Sequence, residues 1–253
     1  MSVLVRILAG ACAVTLALVG CAGRVGGEGG ERVIVFAAAS LTDVFGDIQV
    51  AFQAAHPDVD VELNLAGSGA LREQILEGAP ADVFASANRA TMDEVMLAGE
   101  TAGPAAVFAR NELAIAVPAG NPAGVTGLAA LGRPELLIGL CAAGVPCGDL
   151  ARTVLAEAGV TAVADTDEPD VRALLTKIEA GELDAALVYT TDVIAAGEAV
   201  DGVALAAGAN VTADYLIAPL AGAANPVGAA RFIAYVRSAE GRRILTDNGF
   251  LLP

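Results

Sequence analysis

The sequence predicts an α/β protein of two lobes, each a mainly parallel sheet flanked by helices, joined by two hinge crossovers. Three observations predict it. Short apolar runs alternate with helical periodicities along most of the chain, the pattern of parallel strands covered by helices. Two further apolar segments run into proline, Leu113 to Pro118 and Asp214 to Leu220, and read as paired strands by which the chain passes between lobes. Finally, roughly 220 residues remain for folding once an N-terminal leader is set aside, a length more natural as two lobes than as one.

The leader comes first. Arg6 precedes an uninterrupted apolar and small-residue run from Ile7 to Gly20, ending in Leu18-Val19-Gly20-Cys21. This run is short for a membrane span, and the small residues before the cysteine fit a lipoprotein cleavage box. Residues 1–20 are therefore expected to be a signal peptide, with Cys21 the acylated first residue of the mature chain; the alternative is an ordinary signal peptide and an incidental cysteine. A diacylated Cys21 would supply the second chain that stable anchoring needs. The glycine-rich stretch 21–31 is expected to be a flexible tether.

From Arg32 the elements follow in order. Val33 to Phe36 reads as a strand, and Leu41, Val44, Phe45, Ile48 and Phe52 mark the helix after it. Val59 to Leu65 (strand), Leu71 to Glu77 (helix) and Asp82 to Ser86 (buried strand) repeat the unit. Beyond the first crossing, the second lobe holds a strand at Leu136 to Leu140 and a helix from about Gly148 to Ala158. A helix from Val171 to Ala180 and a strand at Ala185 to Tyr189 complete it. After the second crossing, Asn225 as N-cap and Pro226 at the first helical position start a helix that packs back on the first lobe. The expected division is 32–112 and 215–253 for lobe 1 and 113–214 for lobe 2. Such a discontinuous architecture suits a cleft that closes by hinge motion.

Composition narrows the partners. With 14 basic and 30 acidic residues the formal charge is −16, which argues against nucleic acid. It does not argue against a small anion, because local backbone dipoles can hold one inside an acidic protein. Of four cysteines, Cys12 lies in the leader and Cys21 carries the expected lipid. Cys141 and Cys147 remain as a candidate disulfide in an oxidising envelope, or else as two free thiols. With a single distant histidine, His56, they do not make a zinc site.

In a doubly wound sheet ligands bind beyond the carboxyl ends of the strands, where loops enter helices. Five such places stand out. Ala37-Ala38-Ala39-Ser40-Leu41-Thr42-Asp43 puts small residues before a serine suited to N-capping, with Asp43 as a capping-box partner. Gly67-Ser68-Gly69 frees the backbone around Ser68. Ala143 to Asp149 enters a helix and leaves the Cys147 amide free to donate. Asp170 caps the helix that begins at Val171, and Tyr189 emerges at the end of its strand. Each alone also has a purely structural reading, as cap, turn or packing residue.

Together these motifs resemble the periplasmic molybdate-binding proteins of ABC transporters, from Val33 to Phe250. The resemblance is carried by Val35-Phe36-Ala37-Ala38-Ala39-Ser40-Leu41-Thr42, Gly78-Ala79-Pro80-Ala81-Asp82-Val83-Phe84 and Val145-Pro146-Cys147-Gly148. Asp170-Val171-Arg172, Leu187-Val188-Tyr189 with Asp192, and Asn248-Gly249-Phe250 continue it. It implies a type II periplasmic-binding-protein fold and a monomer with no cofactor. Its ligand would be molybdate or tungstate, held by uncharged donors: the Ser40 hydroxyl and amide, the Ser68 and Tyr189 hydroxyls, and the Cys147 and Val171 amides. Cys147 stands where the family often has alanine, and Gly67 and Gly69 where relatives can carry further serines. Implied partners are an ABC permease with its ATPase, and the membrane through the lipid on its extracytoplasmic face.

Two rival readings follow. The same fold could bind sulfate or another small anion, and an arginine in the cleft (Arg72, Arg110 or Arg231) would favour a carboxylate. Catalysis through Ser40 or Cys147 lacks a nearby general base, His56 being read as part of a surface turn.

Overall fold

The computed structural model describes residues 31–206 and 208–253. The expected signal peptide, Cys21 and all of the expected tether except Glu31 lie outside the described residues. In the first sheet β1 (Glu31–Ala38) runs parallel to β2 (Val59–Ala66) on one side and to β3 (Val83–Ser86) on the other. Next to β3 lies β10 (Ala213–Pro219), antiparallel both to it and to the edge strand β4 (Ala106–Asn111). The second sheet has the order β7-β6-β8-β5-β9, from β5 (Leu113–Pro118), β6 (Ile138–Cys141), β7 (Thr166–Glu168), β8 (Ala185–Tyr189) and β9 (Val200–Ala204).

Both sheets are mixed in the same way: one strand opposes the other four, β10 in the first and β5 in the second. These are the two apolar segments that run into proline. β5 follows β4 with only Glu112 between them, so the chain passes there from the first sheet to the second. The chain crosses back between Ala204 and Ala213.

Alternation along β1 divides the first lobe's core. Val33, Val35 and Ala37 face Phe45 and Phe52 of α1 (Thr42–Ala55) and Phe232 of α7 (Pro226–Val236). Phe36 faces the other way, into a cluster with Leu71 of α2 (Ser68–Leu76) and Met92 of α3 (Arg89–Leu97), as the two-residue strand period requires. Buried Asp82 ties the ends of the lobe together by accepting from Ile34 N at 2.7 Å and Asn225 N at 2.8 Å. Asn225 caps α7 through Gly228 N at 2.8 Å, as its sequence suggests. The second sheet is flanked by α4 (Pro146–Glu157), α5 (Val171–Glu179) and α6 (Thr190–Ala196), and α8 (Ala239–Asp247) packs on α1 and α7. Among the described residues no helix is long and apolar enough to cross a membrane.

Candidate functional site

Five strand ends meet between the lobes. From β1 and β2 come Ser40 and Ser68, from β6 and β7 come Cys147 and Val171, and Tyr189 ends β8. All five line one small cavity of about 10 Å³.

Ser40 is not an N-cap. Residues Ala39–Leu41 form a 3-10 turn, α1 begins only at Thr42, and no side chain caps it. The tighter turn turns the Ser40 hydroxyl inward, where it pairs with the Tyr215 hydroxyl at 2.8 Å. Asp43, expected to complete a capping box, instead forms an ion pair across the lobes with Arg172 at 2.9 Å. Ser68 is the first residue of α2, and its Oγ accepts from Ala87 N at 3.1 Å. That bond occupies a lone pair and leaves the hydroxyl hydrogen free to be donated.

The other lobe supplies backbone. Pro146 opens α4 and puts the Cys147 amide in its first turn, while a disulfide joins Cys147 to Cys141 with Cα atoms 5.8 Å apart. Asp170 caps α5 by accepting from Arg172 N and Ala173 N, both at 2.9 Å, which leaves the Val171 amide outside the cap. Amides in a first turn have no intrahelical carbonyl within reach. Among the described residues no carbonyl outside their own helices accepts from the Ser40, Ser68, Cys147 or Val171 amide.

Tyr189 supplies the remaining hydroxyl. Its ring is buried, packed edge-on to Tyr215 with centroids 5.8 Å apart, and its hydroxyl has no hydrogen-bond partner. Burial raises this phenol well above its ordinary value, helped by Tyr215 and Asp192, so at neutral pH it is an un-ionised donor. Asp192 holds the strand end by accepting from Tyr189 N at 2.9 Å. Burial pushes its carboxyl up to about 7, against the pull of the Tyr189 N–H and of Arg172.

No lysine or arginine lines the cavity. Arg72 pairs with Glu73 and Glu94, Arg110 with Asp214, and Arg231 with Asp58. His56 lies at the end of α1 against Phe52 and Arg231. The lobes meet closely here: a Cβ on Gly67 would lie 2.6 Å from the Pro169 carbonyl oxygen. Sequence reasoning assigned no role to Tyr215 beyond its place in a crossing strand, and did not foresee the pairing of Asp43 with Arg172.

The family model described as "Bacterial extracellular solute-binding protein" matches residues 33–251. The chain belongs to the bacterial extracellular solute-binding protein family. It is a binding protein, not an enzyme. Among relatives of this solute-binding protein, the molybdate-binding protein ModA of Mycobacterium tuberculosis is 40% identical over 226 residues, covering 89% of this chain and 87% of its own. Solved structures share the fold. The periplasmic molybdate-binding protein of Azotobacter vinelandii superposes with a TM-score of 0.76 at 18% identity, over 87% of this chain and 99% of that one. The sulfate-binding protein SubI of Mycobacterium tuberculosis does so with a TM-score of 0.78 at 16% identity, over 87% and 86%. At those identities the likeness describes the fold alone.

Proposed function

We propose that this protein is an extracytoplasmic solute-binding lipoprotein that captures molybdate, or the nearly isosteric tungstate, between its lobes and delivers it to an ABC importer. One observation carries the reading: Ser40, Ser68, Cys147, Val171 and Tyr189, drawn from both lobes, line one small cavity that no cationic side chain lines. Helix N-termini carry partial positive charge, and several of them aimed at one point can replace the hydration of a dianion. The 40% identity to a molybdate-binding protein supports the choice of anion.

In this reading Ser40 gives hydroxyl and amide, Ser68 and Tyr189 give hydroxyls, and Cys147 and Val171 give amides. Selectivity over sulfate comes from cavity size, because the two dianions differ chiefly in bond length and a packed wall cannot shrink without strain. In this reading hydrogen phosphate is disfavoured because the five groups meet the ligand as donors, and its proton would lack an acceptor among them. Lobe 1 (32–112 and 215–253) and lobe 2 (113–214) close around the anion by hinge motion, and Cys21 anchors the protein to the membrane.

The test is calorimetric titration of the anion-free protein with molybdate, tungstate, sulfate and phosphate in parallel. Tight binding of the first two and none of the others is expected; equal sulfate binding, or no oxyanion binding, would overturn the ligand assignment. For the anchor, Cys21→Ala should release the protein from the membrane fraction, and its retention there would rule out acylation at Cys21.

A further inference from the structure

We propose that Tyr215 is a positioning residue for the anion, fixing which way the Ser40 hydroxyl donates. This rests on the oxyanion reading above. Tyr215 is fully buried on β10 and does not line the cavity, so any effect on the ligand passes through a neighbour. The wall residue to which it is hydrogen-bonded is Ser40, 2.8 Å away hydroxyl to hydroxyl.

The chemistry sets the direction. A serine hydroxyl has one hydrogen and two lone pairs, and an unprotonated tetrahedral oxyanion can only accept. For Ser40 to donate to the anion, its contact with Tyr215 must run the other way, from the phenol O–H to Ser40 Oγ. Burial raises the Tyr215 phenol above its ordinary value, which keeps that hydrogen in place. The chain Tyr215 to Ser40 to anion then polarises the second bond as well as orienting it.

The fold is built to hold this phenol still. Beside Tyr215 the register of β10 against β4 shifts: Tyr215 lies opposite Ala109, but Leu216 lies opposite Val107. Such a bulge re-aims the side chain next to it. The ring is then held edge-on by Phe108, Phe250 and Tyr189, at centroid distances of 6.4, 5.5 and 5.8 Å. Tyr215 thus packs against one hydroxyl-bearing wall residue, Tyr189, while bonded to another, Ser40.

The test is a double-mutant cycle read by calorimetric titration with molybdate, using the unsubstituted protein, Tyr215→Phe, Ser40→Ala and the double variant. Phenylalanine preserves the ring packing, and thermal unfolding without ligand checks that it does. Tyr215→Phe should weaken molybdate binding about threefold to tenfold, and should change nothing further in the Ser40→Ala background. An equal loss in both backgrounds, or no loss in either, would overturn the role of Tyr215. Failure of the unsubstituted protein to bind molybdate would overturn the ligand reading itself, and this role with it.

Discussion

A buried hydroxyl without a partner is a cost in the free protein and an asset in the complex, and Tyr189 is such a group. Desolvating an unpaired hydroxyl disfavours folding by about 1–3 kcal/mol. Tyr189→Phe should therefore leave the unliganded protein as stable or raise its unfolding midpoint, while lowering molybdate affinity roughly tenfold or more. Paired unfolding and titration curves check this; a loss of stability with unchanged affinity would assign Tyr189 to packing alone. Asp192 gives a pH prediction. Its carboxyl is pushed up to about 7 by burial, so the folded state holds a proton that the unfolded chain releases near its ordinary value. The stability from this group is therefore complete below about pH 4 and lost as pH rises through about 7. Its full size is on the order of 4 kcal/mol. Asp192→Asn keeps an acceptor for Tyr189 N and should flatten that decline in denaturant titrations between pH 5 and 8; an unchanged slope would show that the carboxyl does not titrate there.

At the scale of elements, what matters is where each helix begins. Pro146 as the first residue of α4 and Asp170 as the cap of α5 decide that the Cys147 and Val171 amides are the ones left over. The Cys141–Cys147 disulfide closes the short loop before α4. Replacing both cysteines by serine should cost about 2 kcal/mol in the chain-entropy model and weaken anion binding, because the loop that places the Cys147 amide becomes freer. Denaturant unfolding and titration of the double variant test both halves, and unchanged affinity would show that Pro146 and the helix suffice. The sequence reading placed the start of α5 at Val171 and that of α7 at Pro226, since aspartate, asparagine and proline act locally, but set α4 from about Gly148, two residues late. It missed the helices α3, α6 and α8 and the strands β4, β7 and β9; for the short strands the pattern depends on neighbours for burial.

For the whole molecule, the question is how two lobes come to share one cavity. Gly67 has φ −56° and ψ 136°, which alanine adopts freely. Its constraint comes from the other lobe, where the Pro169 carbonyl leaves no room for a Cβ. Gly67→Ala should leave each lobe intact but oppose closure, lowering molybdate affinity about tenfold or more with little change in unliganded stability. Solution scattering should show a larger radius in the presence of molybdate than for the unsubstituted protein. Equal compaction and affinity would mean that the contact gives way without cost.

The sequence by itself determined the α/β class, the two proline-ended crossing strands, and the five turns from which Ser40, Ser68, Cys147, Val171 and Tyr189 come. Those signals are local: strand and helix periods, caps and breakers act within a few residues. Only the tertiary structure decided that the five turns meet, that Ser40 turns away from capping toward Tyr215, and that Asp43 reaches Arg172. The last two join residues far apart in the chain, Ser40 and Tyr215 at a separation of 175 and Asp43 and Arg172 at 129. A contact between such distant residues depends on how the sheets stack and how the lobes close, and no local pattern encodes that.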